Sequence, residues 1–178
     1  MLKKIALALV VILVGFLGYV STREGHFRYE RSGVIDAPPA KVYEYLSDFR
    51  HGQEWSPYEK ADPTMKKVFQ GDGNHVGDIL EFEGNSESGS GALEMVKQVP
   101  NESVEIKLTM TKPFHAENLI EYKLAPEGDG TRFTWAMSGD GGFLGKLMNV
   151  FIDCEKMVAG QFETGIANLK SVLETPKT

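Results

Sequence analysis

The chain has a single cysteine, Cys154. A lone thiol closes no intramolecular disulfide, so the fold has to stand without a covalent staple in any compartment. On an apolar helical stripe that thiol reads as a small core residue rather than a nucleophile. Histidine is nearly as scarce: His26, His51, His75 and His115 are far apart and fall mostly in expected turns. They make no short-spaced ligand set, so neither a metal nor another cofactor is expected. Glycine is plentiful, yet GDGNHVG at 71–77 has neither dinucleotide spacing nor the Gly-Lys-Ser/Thr end of a P-loop, and no G-x-S-x-G is present. Basic excess is also missing. The net charge is −6, and Lys3 and Lys4 are the only charges before Arg23, so the remainder carries −8. That excludes nucleic acid as a partner and a basic face for docking on anionic lipid.

What is present is an ordinary globular mixture, 42% hydrophobic and 25% charged over 178 residues, enough for one domain and one appended segment. The appended segment is MLKKIALALVVILVGFLGYV. Ile5 to Val20 is an uncharged run of sixteen residues, about 24 Å as a helix against a hydrocarbon core of about 30 Å. Lys3 and Lys4 can snorkel at one end, while Ser21 and Thr22 finish the last turn at the other. A retained anchor over residues 1–22 fits this better than a cleaved signal, whose small-residue positions are filled by bulky side chains; an internal apolar helix is the third possibility. By the positive-inside rule the N-terminus is cytoplasmic. The domain at 23–178 is then expected on the periplasmic or extracellular side, membrane-bound, or secreted if the segment is cleaved.

Within the domain, FRYERSGVI reads as a first strand and Pro38 to Ser47 as a helix opened by Pro38 and Pro39, with Val42, Tyr45 and Leu46 as its apolar face. HGQEWSPYEK at 51–60 follows with neither helical nor strand period. From residue 65 the chain becomes short strands divided by glycine clusters; in SVEIKLTMT, Val104, Ile106, Leu108 and Met110 point one way and Glu105, Lys107 and Thr109 the other. Short connections make neighbouring strands antiparallel. Phe143 to Leu173 reads as one long helix, with a stripe through Leu147, Phe151, Cys154, Val158, Phe162, Ile166 and Leu169. The fold class is α+β: a seven-stranded curved antiparallel sheet gripping a long C-terminal helix, with a gap between them for a ligand.

The phrases IDAPPAKVYEYLSDFRHGQEWSPY, the glycine-punctuated strands and GQFETGIANLKSVLE together resemble the START-like, Bet v 1-like (SRPBCC) superfamily of polyketide cyclases, dehydratases and lipid-transfer proteins. The resemblance covers about residues 27 to 173. It implies a helix-grip fold with an internal cavity for a hydrophobic or amphipathic molecule. It also implies that Trp55, at a corner where the family often carries tryptophan, a small residue and proline, caps one end of the core or cavity. Tyr58 would then offer a phenol at the mouth, with His51, Glu54 and Glu59 on the surface.

Large adaptable side chains cluster where that cavity is expected: Phe133, Trp135 and Met137 on the last strand, Met110 at the end of another, Met148 and Phe151 on the helix. Core packing accounts for such a set as readily as ligand contact. For acid–base chemistry the candidates are His115, in a turn, and Glu155, beside the helix stripe; Glu81 and Glu94 alternate with apolar neighbours and should face out. Three readings stay open. They are a membrane-tethered domain binding a lipid, isoprenoid or polyketide-like compound, a cyclase/dehydratase-type enzyme, and an envelope adaptor.

Overall fold

Alternation in the middle of the chain builds one sheet. The computed structural model describes residues 2–86 and 88–174. An apolar helix α1 (Leu2–Ser21) leads into strand β1 (His26–Ile35) and helix α2 (Pro39–Leu46). After a 3-10 turn come two short helices, α3 (Gly52–Trp55) and α4 (Pro57–Ala61). Strands β2 (Lys66–Gln70), β3 (Ile79–Glu83), β4 (Ser90–Val99), β5 (Ser103–Lys112), β6 (Ala116–Glu127) and β7 (Gly130–Asp140) follow, then α5 (Gly142–Phe151) and α6 (Cys154–Glu174). All pairings are antiparallel in the order β1-β7-β6-β5-β4-β3-β2, leaving β1 and β2 as the edges.

The inner face carries Leu80, Met95, Val104, Ile106, Tyr122, Leu124, Phe133 and Trp135, all buried. The outer face pairs its charges across strands, Lys97 with Glu105 at 2.7 Å and Lys107 with Glu117 at 3.2 Å. One face dry and one wet is the ordinary economy of an antiparallel sheet. A register shift between Met95 and Lys97 bends β4, and the bend lets the sheet wrap α6. Into that hollow α6 turns Ala159, Phe162, Gly165, Ile166 and Leu169. Gly165 is needed there because a methyl group would strike the Trp135 ring and lie 3.0 Å from Pro57 Cδ.

Two expectations from the sequence need correction. The stretch 51–60 is helical, because Asp48 accepts the Arg50 N–H at 2.9 Å to open the 3-10 turn and Pro57 occupies the first turn of α4. The long helix from Phe143 to Leu173 is two helices. Ile152 is extended (φ −128°, ψ 132°), and the Asp153 carboxylate accepts the Lys156 N–H at 2.9 Å, capping a new start for α6.

Two turn carboxylates hold the loops beside β2 and β3. Asp78 accepts backbone N–H bonds from Gly73, Asn74 and His75 at 2.8–3.0 Å, and Asp62 accepts from the Thr64 hydroxyl at 2.7 Å and the Asn85 N–H at 2.6 Å. These bonds favour the ionised form, so both carboxyls sit below the ordinary aspartate value of 3.8.

Two outcomes are expected. Phe162→Ala should destabilise the domain by about 3–5 kcal/mol and Gly165→Ala by about 1–3 kcal/mol in denaturant titrations. Because Asp62 and Asp78 are depressed in the fold, their contribution is complete above the unfolded value and is lost as pH falls through the folded one. The thermal midpoint should therefore decline below about pH 4, and Asp78→Asn should flatten that decline while lowering the midpoint at neutral pH.

Candidate functional site

β1 is an edge strand, and its alternation sends Phe27, Tyr29 and Arg31 toward the helices. Arg31 ties the strand to α6: its Nε donates to Glu163 at 3.0 Å, and its guanidinium lies 3.9 Å from Glu155. Toward the start of β1 that seam opens, because the break at Ile152 turns α5 away from the line of α6. The result is a solvent-open groove of ≈ 820 Å³ between residues 22–29 and 146–155.

One wall is the stacked pair Phe27 and Tyr29, ring centroids 4.8 Å apart. The other brings Val150, Phe151 and Ile152 as carbon surface, and Asn149 and Cys154 as neutral polar groups. The Asn149 amide hydrogen-bonds the Tyr29 phenol, while burial, with Cys154 close by, still holds that phenol above its usual range. Burial likewise pushes the Cys154 thiol up. Both groups are therefore protonated at neutral pH, and neither is a ready base or nucleophile. Charged residues of both signs line the groove, Arg23 and Lys146 together with Glu24, Asp153 and Glu155, while the Arg28 guanidinium turns to Glu121 and Glu30 on the outer face. Aromatic and aliphatic walls with charged groups of both signs suit an amphipathic molecule.

The residues expected from the sequence divide into three groups. Trp55, Phe133 and Trp135 do not line a groove; they close the core. Trp135 stacks on Phe162 with centroids 4.5 Å apart and planes 14° from parallel. Trp55 meets Trp135 edge-on at 5.3 Å and Tyr122 at 5.8 Å. At the Trp135–Phe162 contact, a ring expected to line the gap between helix and sheet packs against one from the helix. Phe151 reaches the groove, and Met137, opposite Tyr29 on β7, and Met148 on α5 are half-buried near it. The third group lies elsewhere. Met110 is half-buried toward the far end of β5, beside Gly89. Tyr58 is partly exposed on α4, away from the groove, and burial pushes its phenol up to about 12.

Of the acid–base candidates, His115 is exposed in the β5–β6 turn and takes no part in the groove, whereas Glu155 sits on its rim beside Arg31. Glu81 and Glu94 face outward as expected, Glu81 accepting from Gln70 at 2.6 Å. Glu59 is a correction: it is buried, with its carboxylate 2.6 Å from Lys67 Nζ. Period-based reading missed Tyr29, Asn149 and Cys154 as a group. The one signal for them was Asp153 as a helix cap, which the apolar stripe running through it concealed.

The family described as polyketide cyclase / dehydrase and lipid transport matches residues 26–174. The chain belongs to that family. Solved structures agree on its fold. The Aha1 dimer from Colwellia psychrerythraea superposes with a TM-score of 0.62 at 19% identity, covering 85% of this chain and 99% of that one. Ara h 8.0201 gives 0.58 at 15%, covering 84% and 98%. DynU16, from the dynemicin biosynthetic locus, gives 0.58 at 13%, covering 83% of this chain and 47% of that one. At these identities the likeness is one of fold. No curated protein sequence matches the chain. Family and fold together make this a ligand-binding or cyclase/dehydrase-type domain of the helix-grip class. Its N-terminal helix is long and apolar enough to cross a membrane.

Proposed function

We propose that the chain is a membrane-tethered binding domain for an amphipathic small molecule of lipid, isoprenoid or polyketide-like class. In this reading α1 lies in the bilayer, and the molecule lies between Phe27 and Tyr29 on one side and Asn149 to Cys154 on the other. One observation carries it: the ≈ 820 Å³ groove is rimmed by Thr22, Arg23 and Glu24, the residues that follow α1 directly. A groove meant for a water-borne substrate gains nothing from that position, whereas one meant for an amphiphile of the bilayer does. Apolar contact contributes roughly 25 cal/mol per Å² buried, and the charged residues that line the groove offer partners for a polar headgroup. The acid–base alternative is less favoured, because His115 is remote from the groove, Glu155 is tied to Arg31, and the Tyr29 and Cys154 protons are held.

The test uses the full chain in phosphatidylcholine nanodiscs with a fatty acid carrying an alkyl diazirine, photolysed and mapped by peptide mass spectrometry. Adducts are expected on the first residues of β1 and on 149–154. Cys154→Trp and the exposed-site variant Asn149→Trp should each lower that yield about tenfold, equivalent to about 1.4 kcal/mol of binding. Adducts confined to α1, or yields unchanged in both variants, would sink the groove as the binding site.

A further inference from the structure

The bend between α5 and α6 is more apolar than a water-facing surface needs. Phe151 is 72% exposed, Ile152 and Met157 are exposed just beyond it, and Phe143 and Leu144 are exposed at the start of α5. Large apolar side chains left exposed in this way mark an interaction surface. Its position against α1 says what covers it.

Lys146 Nζ donates to the Ser21 carbonyl at 3.3 Å. Five residues further along α5, the Phe151 ring meets the Phe16 ring, five residues back along α1, at a centroid distance of 6.0 Å. The two contacts step in opposite senses along the chain, so α5 descends beside α1 turn for turn, and five residues of helix are about 7.5 Å. The uncharged run of α1, bounded by Lys3 and Lys4, is Ile5 to Val20. That is about 24 Å against a core of about 30 Å, so a spanning α1 has no residue to spare. Phe16 must then lie inside the hydrocarbon, and a ring packed on Phe16 lies there with it.

We infer that the α5–α6 bend is inserted in the bilayer beside α1, with Phe151 and Ile152 roughly 7 Å below the level of Ser21. That depth falls within the 5–10 Å at which amphipathic helices bury their apolar face. The inference rests on the reading of α1 as a bilayer helix and deepens it: the groove mouth opens to lipid, and its ligand is an amphiphile that enters from the bilayer. Of the charges beside the bend, the Asp153 carboxylate accepts the Lys156 N–H as the cap of α6 and Glu155 lies 3.9 Å from Arg31. Lys146, five residues and about 7.5 Å above Phe151, stands level with Ser21, at the interface where a lysine snorkels.

Nitroxide accessibility in the full chain tests the insertion. In a Cys154→Ser background, labels go one at a time on Leu9→Cys, Phe151→Cys, Ile152→Cys and Val76→Cys, all at exposed positions, in phosphatidylcholine/phosphatidylglycerol vesicles. Val76 lies in the turn before β3, at the end of the sheet opposite the start of β1. The labels at 9, 151 and 152 should collide with oxygen in preference to a water-soluble nickel chelate several-fold more than the label at 76. Water-like behaviour at 151 and 152 with an oxygen preference at 9 overturns the insertion and leaves the tether standing. Water-like behaviour at 9 as well overturns both.

Discussion

The stack of Trp135 on Phe162 is the contact on which the remaining architecture depends. It sets how deeply α6 sits in the curved sheet, and it exists because Gly165 offers no side chain where the indole passes. Trp55 and Tyr122 then pack edge-on against Trp135, while the Phe133 ring lies 28° from parallel to it at 6.4 Å. The cluster carries a cost, since neither indole N–H has a hydrogen-bond partner among the described residues, a penalty of about 1–3 kcal/mol each. Burying each indole removes about 150–250 Å² from water, roughly 4–6 kcal/mol at 25 cal/mol per Å². Burial wins, and the core closes.

Closing the core moves the site. With the Trp135–Phe162 stack inside the grip, the groove opens where helix and sheet part company, at the β1 edge. Below Arg31 the salt bridge to Glu163 holds strand and helix together; above it Ile152 goes extended and the helix restarts at Cys154. The same break that opens the groove swings α5 against α1. The groove and the contact between α5 and α1 therefore share one structural cause, a two-residue interruption of what would otherwise be a straight helix.

The strands and their antiparallel pairing were legible in the sequence, because alternation over strands such as β5 is a one-dimensional pattern; the register was not. So was α2, whose paired prolines mark its start. The late helix was legible as to face but not as to continuity. Apolar spacing through Phe151 and Cys154 passes across the break unaltered, and only the capping residue Asp153 announced it. The aromatic residues were recognised as facing inward, but whether inward rings line a space or fill it depends on Gly165 and Phe162 meeting Trp135 across the fold. That is a three-dimensional fact with no local signature. Glu59 was misread for a similar reason, its partner Lys67 lying on the next strand.

Charge and leash length together limit what such a domain can do at a membrane. Its outer face pairs Arg28 with Glu121 and Lys97 with Glu105, and the −8 that remains is repelled by anionic headgroups within a Debye length of about 8–10 Å. Long-range attraction therefore cannot orient it, and short-range apolar contact and the tether must. Only residues 22–25 separate α1 from β1, about 14 Å if fully extended, so with α1 in the bilayer the end of the sheet that begins β1 stays at the membrane surface. A domain held so close cannot carry a ligand across water to a second membrane. On the proposed reading, a domain so held takes up an amphiphile from its own bilayer and holds or presents it there.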